Sequence, residues 1–235
     1  MLSDARKPGI SAKSPLHAPA LIAVAFIAVL ILFGGNADAG EISATVLDSN
    51  GAPLNKAVIF AVPVSGKAPR LESGKLTIMD QVNKEFVPLV LAAQTGVAVQ
   101  FPNRDNIRHH VYSLSPTKTF ELPLYIGTPA NPVVFDKPGA IAIGCNIHDW
   151  MSAYLYVVDT PYFTITGTDG KGKLKDIPTG AYKLMSWHYR MKGDPEASAF
   201  DVQISAAPVE KSFNLSLKPE FKAHRAPALS GRGYR

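Results

Sequence analysis

The chain holds one cysteine in 235 residues, Cys145. A disulfide needs a pair, so no internal disulfide framework holds this fold. Apolar residues at helical spacing are nearly missing after residue 40, which excludes a helical bundle and a helix-covered parallel sheet. Charge is sparse at 18% of residues against 46% hydrophobic, the balance of a globular chain. The formal net charge of +5 sits mainly at the ends. Residues 218–235, "KPEFKAHRAPALSGRGYR", carry Lys218, Lys222, Arg225, Arg232 and Arg235 against Glu220 alone. They read as a solvated, disordered basic tail; an acidic partner or anionic lipid fits their charge, but a plain solvated end explains it more simply. No basic groove interleaved with aromatics is present, so nucleic acid is discounted as a partner.

What is present begins with an export signal. Arg6, Lys7 and Lys13 precede the apolar run "LIAVAFIAVLILF" (21–33), followed by "GGNADAG". Ala37-Asp38-Ala39 forms a small-residue cleavage site, so residues 1–39 read as a signal peptide with the mature chain starting at Gly40. The apolar run is short of the about 20 residues a membrane span needs. An uncleaved anchor is the second reading, and only then does a membrane enter. Both readings place the body outside the cytosol, in a periplasm. An exported protein that uses cysteine structurally carries pairs. A single one is either buried and inert or a ligand or nucleophile.

After residue 40 the pattern is all-β: short apolar runs broken by Gly, Pro, Asn and Asp. Strands are predicted over 41–47, 56–63, 74–79, 87–92, 96–101, 109–114, 132–135, 139–144, 153–158, 172–176, 180–188, 199–204 and 210–216. Turn signals such as "DSNGAP", "GTDGKG" and "KGDP" separate them.

"GCNIHDWM" (144–151) places Cys145, His148 and Met151 three residues apart, on a short loop between the strands "AIAIG" and "AYLYVV". Histidines lie upstream in "NRDNIRHHVYS" (103–113). A thiolate, two imidazoles and a thioether form a soft nitrogen–sulfur set that suits copper. A zinc site with water in the fourth position is the alternative, though zinc has no particular use for Met151. A Cys–His nucleophile pair is weaker, because no orienting base is recognisable. His188 and His224 read as ordinary surface or core histidines, His17 falls in the export signal, and Met79, Met185 and Met191 read as packing residues.

The stretch "FDKPGAIAIGCNIHDWMSAYLYV" (135–157) resembles the C-terminal ligand loop of cupredoxins, with the short Cys-x-x-His-x-x-Met spacing of the amicyanin type. "VAVQFPNRDNIRHHVYS" (97–113) resembles the strand that carries their first ligand. From about 75 to 158 the chain is also similar to the plastocyanin-like proteins called methylamine utilization proteins. The resemblance implies a Greek-key β-sandwich over 70–158. It also implies one copper per chain cycling between Cu(II) and Cu(I), held by His109, Cys145, His148 and axial Met151. His109 takes the family's first-histidine position. Strand alternation supports choosing one of the pair, because His109 and Val111 share one face while His110 and Tyr112 share the other. His110 stands where the family usually has asparagine, and Asn146 where it has Ser or Thr; in the family those two positions lock the ligand loops, and with their polarity reversed here the role of the pair stays open.

"EISATVLDSNGAPLNKAVIFAVP" (41–63) and "TGTDGKGKLKDIPTGAYKLMSWHYR" (166–190) resemble the opening and later strands of a carboxypeptidase regulatory-like, or transthyretin-like, sandwich. That implies a discontinuous second domain from 41–66 and 159–217, interrupted by the first, with Leu174, Ile177, Tyr182, Leu184 and Trp187 filling its core; two consecutive sandwiches, or one large one, are the alternatives. The expected function is an exported blue-copper carrier of single electrons between periplasmic redox proteins, not an enzyme. Two other classes stay open: a periplasmic copper-storage or sensing protein, and an adhesion-type β-protein whose metal only stabilises it.

Overall fold

The computed structural model describes residues 39–70 and 76–220. Most of the export signal, His17, His224 and the tail beyond Glu220 lie outside them. The described chain is all-β. Its strands are β1 (Ala39–Asp48), β2 (Val58–Pro63), β3 (Thr77–Ile78), β4 (Asp80–Val82), β5 (Glu85–Val87) and β6 (Val90–Gln94). Then come β7 (Val97–Gln100), β8 (His109–Ser115), β9 (Lys118–Tyr125), β10 (Val133–Phe135), β11 (Gly139–Gly144) and β12 (Ser152–Val158). The last are β13 (Phe163–Ile165), β14 (Lys171–Pro178), β15 (Gly180–Trp187), β16 (Phe200–Ile204) and β17 (Val209–Leu215), with one short 3-10 turn at Pro195–Ser198.

Four of the sheets stack face to face. Sheet β14-β1-β17 faces sheet β13-β2-β15-β16 across a core that includes Ile42, Val46, Ile59, Leu174, Ile177, Tyr182, Leu184 and Phe213. Sheet β6-β12-β11-β8-β9 faces β10-β7-β3 across a second core, with Met79, Val99, Phe101, Val111, Phe135, Ile141, Ile143 and Leu155. The two middle sheets meet in a third apolar layer: Val58, Phe60, Met185 and Trp187 from one side, Val90, Tyr156 and Val158 from the other. Strand parity explains this layering, since successive side chains point to opposite faces. Along β15, Tyr182 and Leu184 enter the first core, whereas Met185 and Trp187 enter the third layer. Trp187 therefore does not fill the core predicted for it. It is odd where Tyr182 and Leu184 are even, and it stacks on Tyr156 with ring centroids 4.6 Å apart. Along β12, Ala153, Leu155 and Val157 face the second core, while Tyr154 and Tyr156 face the third layer.

Several strands differ from the sequence reading, among them β4, β9 and β13, which it does not contain. β9 pairs antiparallel with β8, yet it is missing from the predicted set. Its outward residues Thr119 and Glu121 and its Pro123 hide the period of two, and the register shifts between His109 and Val111 opposite that proline. β13 is three residues long and pairs with β2. The predicted strand 87–92 is two elements, β5 and β6, joined across Pro88. At the other end, the first residues of the expected tail are attached: the Lys218 N–H donates to the Arg190 carbonyl at 2.7 Å, and Arg190 Nε donates to the Lys218 carbonyl at 3.0 Å.

Removing Trp187 opens the layer between the two middle sheets. Trp187→Ala should cost about 3–5 kcal/mol in urea denaturation, with both cores unfolding in one transition; two separate transitions would contradict the shared layer. A second prediction concerns His188, which is 3% exposed, its Nδ1 accepting from the Arg190 N–H at 3.2 Å. Burial holds its pKa down to about 4; Arg190 adds to the shift, a bond with the Asn55 backbone opposes it, and Lys56 adds a little. The ordinary value is 6.5, so between these limits the unfolded chain binds more protons than the folded one. The contribution of His188 to stability is complete above about pH 6.5 and is lost as pH falls toward 4. His188→Gln should flatten the fall in unfolding free energy across that window.

Candidate metal centre

The metal centre is built at one end of the second core by the same parity that builds the core. On β11, Ile141 and Ile143 point inward, and Cys145 continues the series at 4% exposure. On β12, Ala153 and Leu155 point inward, and Met151 continues it at 2%. The ladder ends at the pair Gly144–Ser152. Beyond it the Cys145 N–H donates to the Met151 carbonyl at 3.2 Å, and the Met151 N–H donates to the His148 carbonyl at 2.9 Å. Residues 145–151 thus close as a tight turn that returns its sulfurs toward one core. Gly144 lies close under the Tyr112 ring: a Cβ there would sit 3.1 Å from it, so the ring would have to shift by a few tenths of an ångström.

His109 opens β8 on the inward face and is fully buried, together with Val111 and Ser113. Its ligand-capable nitrogen, Cys145 Sγ and a ring nitrogen of His148 all lie within 4.8 Å of one another. Cys145 Sγ is 3.9 Å from His148 Nδ1, and the two imidazole rings meet edge-on with centroids 5.0 Å apart. Two atoms that share one metal at bond lengths of about 2.0–2.3 Å sit roughly 3.5–4 Å apart, so this cluster is a slightly open version of a ligand set. His109 Nδ1 is buried with no hydrogen-bond partner. Such a nitrogen is costly unless something binds it. The donors, one thiolate and two imidazoles, fit a soft or borderline ion such as copper. Met151 is in the same core as Cys145, with its main chain bonded to both Cys145 and His148.

Both imidazoles are held for binding. Burial, helped by His109 and Lys84 and opposed by Asp105, keeps the pKa of His148 below its ordinary value, favouring the neutral ring that ligates. His109 Nε2 lies 2.7 Å from Asp105 Oδ2, which leaves Nδ1 as the free nitrogen. Burial raises the pKa of Asp105, but the bonds from His109 and from the Lys84 and Asn83 backbone N–H groups outweigh it, so the carboxyl stays below the usual range. The cross-strand neighbour of His109, Tyr125, is pushed up to about 12 by burial, opposed by the bond from Gln81 and helped by the nearby Cys145 and Asp80.

The structure brings His109, Cys145 and His148 together and buries Met151 beside them. It turns His110 to the other face, with Nε2 2.8 Å from Glu121 Oε1 and its ring tilted on Tyr112. His110 and Asn146 line one shallow groove, but the bond recorded for His110 goes to Glu121. His110 is thus paired across the strands with Glu121. The sequence reading misses Asp105, Lys84 and the bond that tethers Trp150. Trp150 donates its Nε1–H to the Lys84 carbonyl at 3.1 Å, and its ring lies 5.1 Å from that of His148. The only sequence signal for Asp105 is a carboxylate four residues before a candidate ligand histidine.

No family model matches the sequence. A search of curated proteins finds no match. Among solved structures, a Cu-containing nitrite reductase from Thermus scotoductus SA-01 is 26% identical over 41% of this chain and 25% of its own, with a TM-score of 0.34. This chain thus spans about a quarter of that enzyme's length. A mutant of amicyanin in its Cu(I) form is 17% identical over 42% of this chain and 98% of its own, with a TM-score of 0.33. A purple cupredoxin from Nitrosopumilus maritimus is 20% identical over 35% of this chain and 99% of its own, with a TM-score of 0.31.

The geometry separates two neighbouring histidines. His109→Ala should abolish tight Cu(II) binding in a chelator competition, and His110→Asn should leave it within about tenfold, since His109, and not His110, lies in the cluster with Cys145 and His148. The reverse outcome would move the site to the other face of β8.

Proposed function

We propose that the chain is an exported type 1 copper protein that carries single electrons between periplasmic redox partners. On this reading it is a carrier and not an enzyme, and residues 1–39 are its cleaved signal. The observation that carries the reading is the convergence of His109, Cys145 and His148 within 4.8 Å, with His109 Nδ1 buried and unpartnered. His109, Cys145 and His148 would hold one copper, with Met151 as the weak axial donor. Copper, when bound, supplies the one-electron couple.

The protein's own residues supply position, exclusion of water and an exit. The β11–β12 turn fixes Cys145 and Met151 through main-chain bonds, which limits how far either sulfur moves when the charge of the ion changes. Burial of His109, Cys145 and Met151 keeps water from competing for the site. His148 is the least buried of the four. Beside it Ile147 is 51% exposed, an apolar surface on which a redox partner can dock. The neighbouring sheet packs on Val90, Tyr156 and Val158, on the flat face of β6 and β12, and so leaves this turn open. We further read residues 70–158 as a cupredoxin unit set into a carboxypeptidase regulatory-like sandwich formed by 41–66 and 159–217.

Copper reconstitution tests the function. The Cu(II) protein should show an intense visible charge-transfer band that Cys145→Ser abolishes. Met151→Leu should keep copper and raise the reduction potential, because a weak axial donor is lost. A colourless copper form, or a chain that selects zinc, would contradict the proposal.

A further inference from the structure

The two histidines of the cluster reach it from different parts of the chain. His109 opens β8, and His148 lies on the turn between β11 and β12. The only contact between their rings is the edge-on approach at 5.0 Å. His148 is partly exposed on a short turn, where its ring meets Cys145 Sγ and the ring of Trp150.

A third segment touches the supports of both. The turn joining β4 to β5 has Asn83 and Lys84 in succession at φ of 54° and 60°. Two left-handed residues in a row close a tight hairpin of the primed type, and here they aim successive N–H groups at one carboxylate. The Asn83 N–H donates to Asp105 Oδ1 at 2.7 Å, and the Lys84 N–H donates to Asp105 Oδ2 at 2.8 Å. Asp105 Oδ2 also takes His109 Nε2. On the same peptide segment, the Lys84 carbonyl accepts the Trp150 indole N–H at 3.1 Å, and the Trp150 ring flanks His148. A continuous series of contacts therefore runs from His109 through Asp105, Lys84 and Trp150 to His148, around the outside of the cluster.

We propose that the Asn83–Lys84 turn is a clamp that fixes the two histidines relative to each other, with Asp105 and Trp150 as its two positioning residues. The clamp rests on the copper reading for its purpose, but its parts belong to the metal-free chain. Asp105 sets which nitrogen of His109 is free and where it points. Trp150, tethered by its N–H, limits the swing of His148. Because both act through one turn, loosening either end should loosen the other.

The test uses the full chain with Asp105→Asn, Trp150→Phe and the double variant. Phenylalanine keeps an aromatic ring against His148 and removes only the indole N–H and its second ring, so folding is preserved. In the metal-free protein, Asp105→Asn should speed solvent exchange of the Trp150 indole N–H, measured by NMR, by about tenfold or more; an unchanged rate overturns the clamp. With Cu(II) as the probe in a chelator competition, Asp105→Asn should weaken binding about 10–100-fold. Trp150→Phe should weaken it less, and the double variant by clearly less than the product of the two. Losses that simply multiply, or no loss with Trp150→Phe, would show two independent supports and overturn the proposal. If the unmodified chain binds no copper, the functional reading fails, and the indole exchange rate alone decides the clamp.

Discussion

Strand β12 is buried on both faces, and the rest of the structure depends on that burial. Its inward residues Ala153, Leu155 and Val157 close the second core, while Tyr154 and Tyr156 meet the neighbouring sheet. A slip by one residue would put the rings of Tyr154 and Tyr156 into the space of Ala153, Leu155 and Val157, and that mismatch in volume opposes it. Its parallel pairing with β6 and antiparallel pairing with β11 are thereby fixed. Fixing β12 against β11 fixes where the turn 145–151 begins and ends. The position of Cys145 and Met151 is then a consequence of sheet register and not of the turn alone.

The electrostatics of the centre follow from the same packing. A fully buried imidazole with one nitrogen bonded to a carboxylate and the other bonded to nothing is poised for a cation. Asp105 holds negative charge next to His109 because three N–H groups stabilise its ionised form against the penalty of burial. His148 is kept neutral chiefly by burial. The cluster thus leaves His109 Nδ1 buried and without a hydrogen-bond partner beside Cys145 and His148. A metal entering such a site would meet three donor side chains that already lie together.

Much of the centre was legible in the sequence, for a specific reason. The three-residue spacing of Cys145, His148 and Met151 lies on one turn between two apolar runs, and the face alternation of β8 separates His109 from His110. Local patterns carry such information. Asp105, Lys84 and the tether of Trp150 were not legible, because each acts through a contact between distant segments: Lys84 and Trp150 are joined across the fold by one N–H to carbonyl bond. The same limit applies to the fold. Inward strands such as β11 were readable from alternation, whereas β9 was hidden by Pro123 and its outward polar residues. Trp187 was assigned to the wrong layer because a pattern of apolar residues does not show that a sheet is covered on both faces.

The central claim is that one thiolate and two imidazoles bind a single copper ion at the end of the second core. X-ray absorption at the copper edge of the reconstituted full chain tests it most directly. The account predicts one short sulfur contact together with two imidazole nitrogens at about 2.0 Å, with the sulfur contact absent when Cys145 is replaced by serine. A copper environment of oxygen and nitrogen alone in the unmodified chain would contradict it.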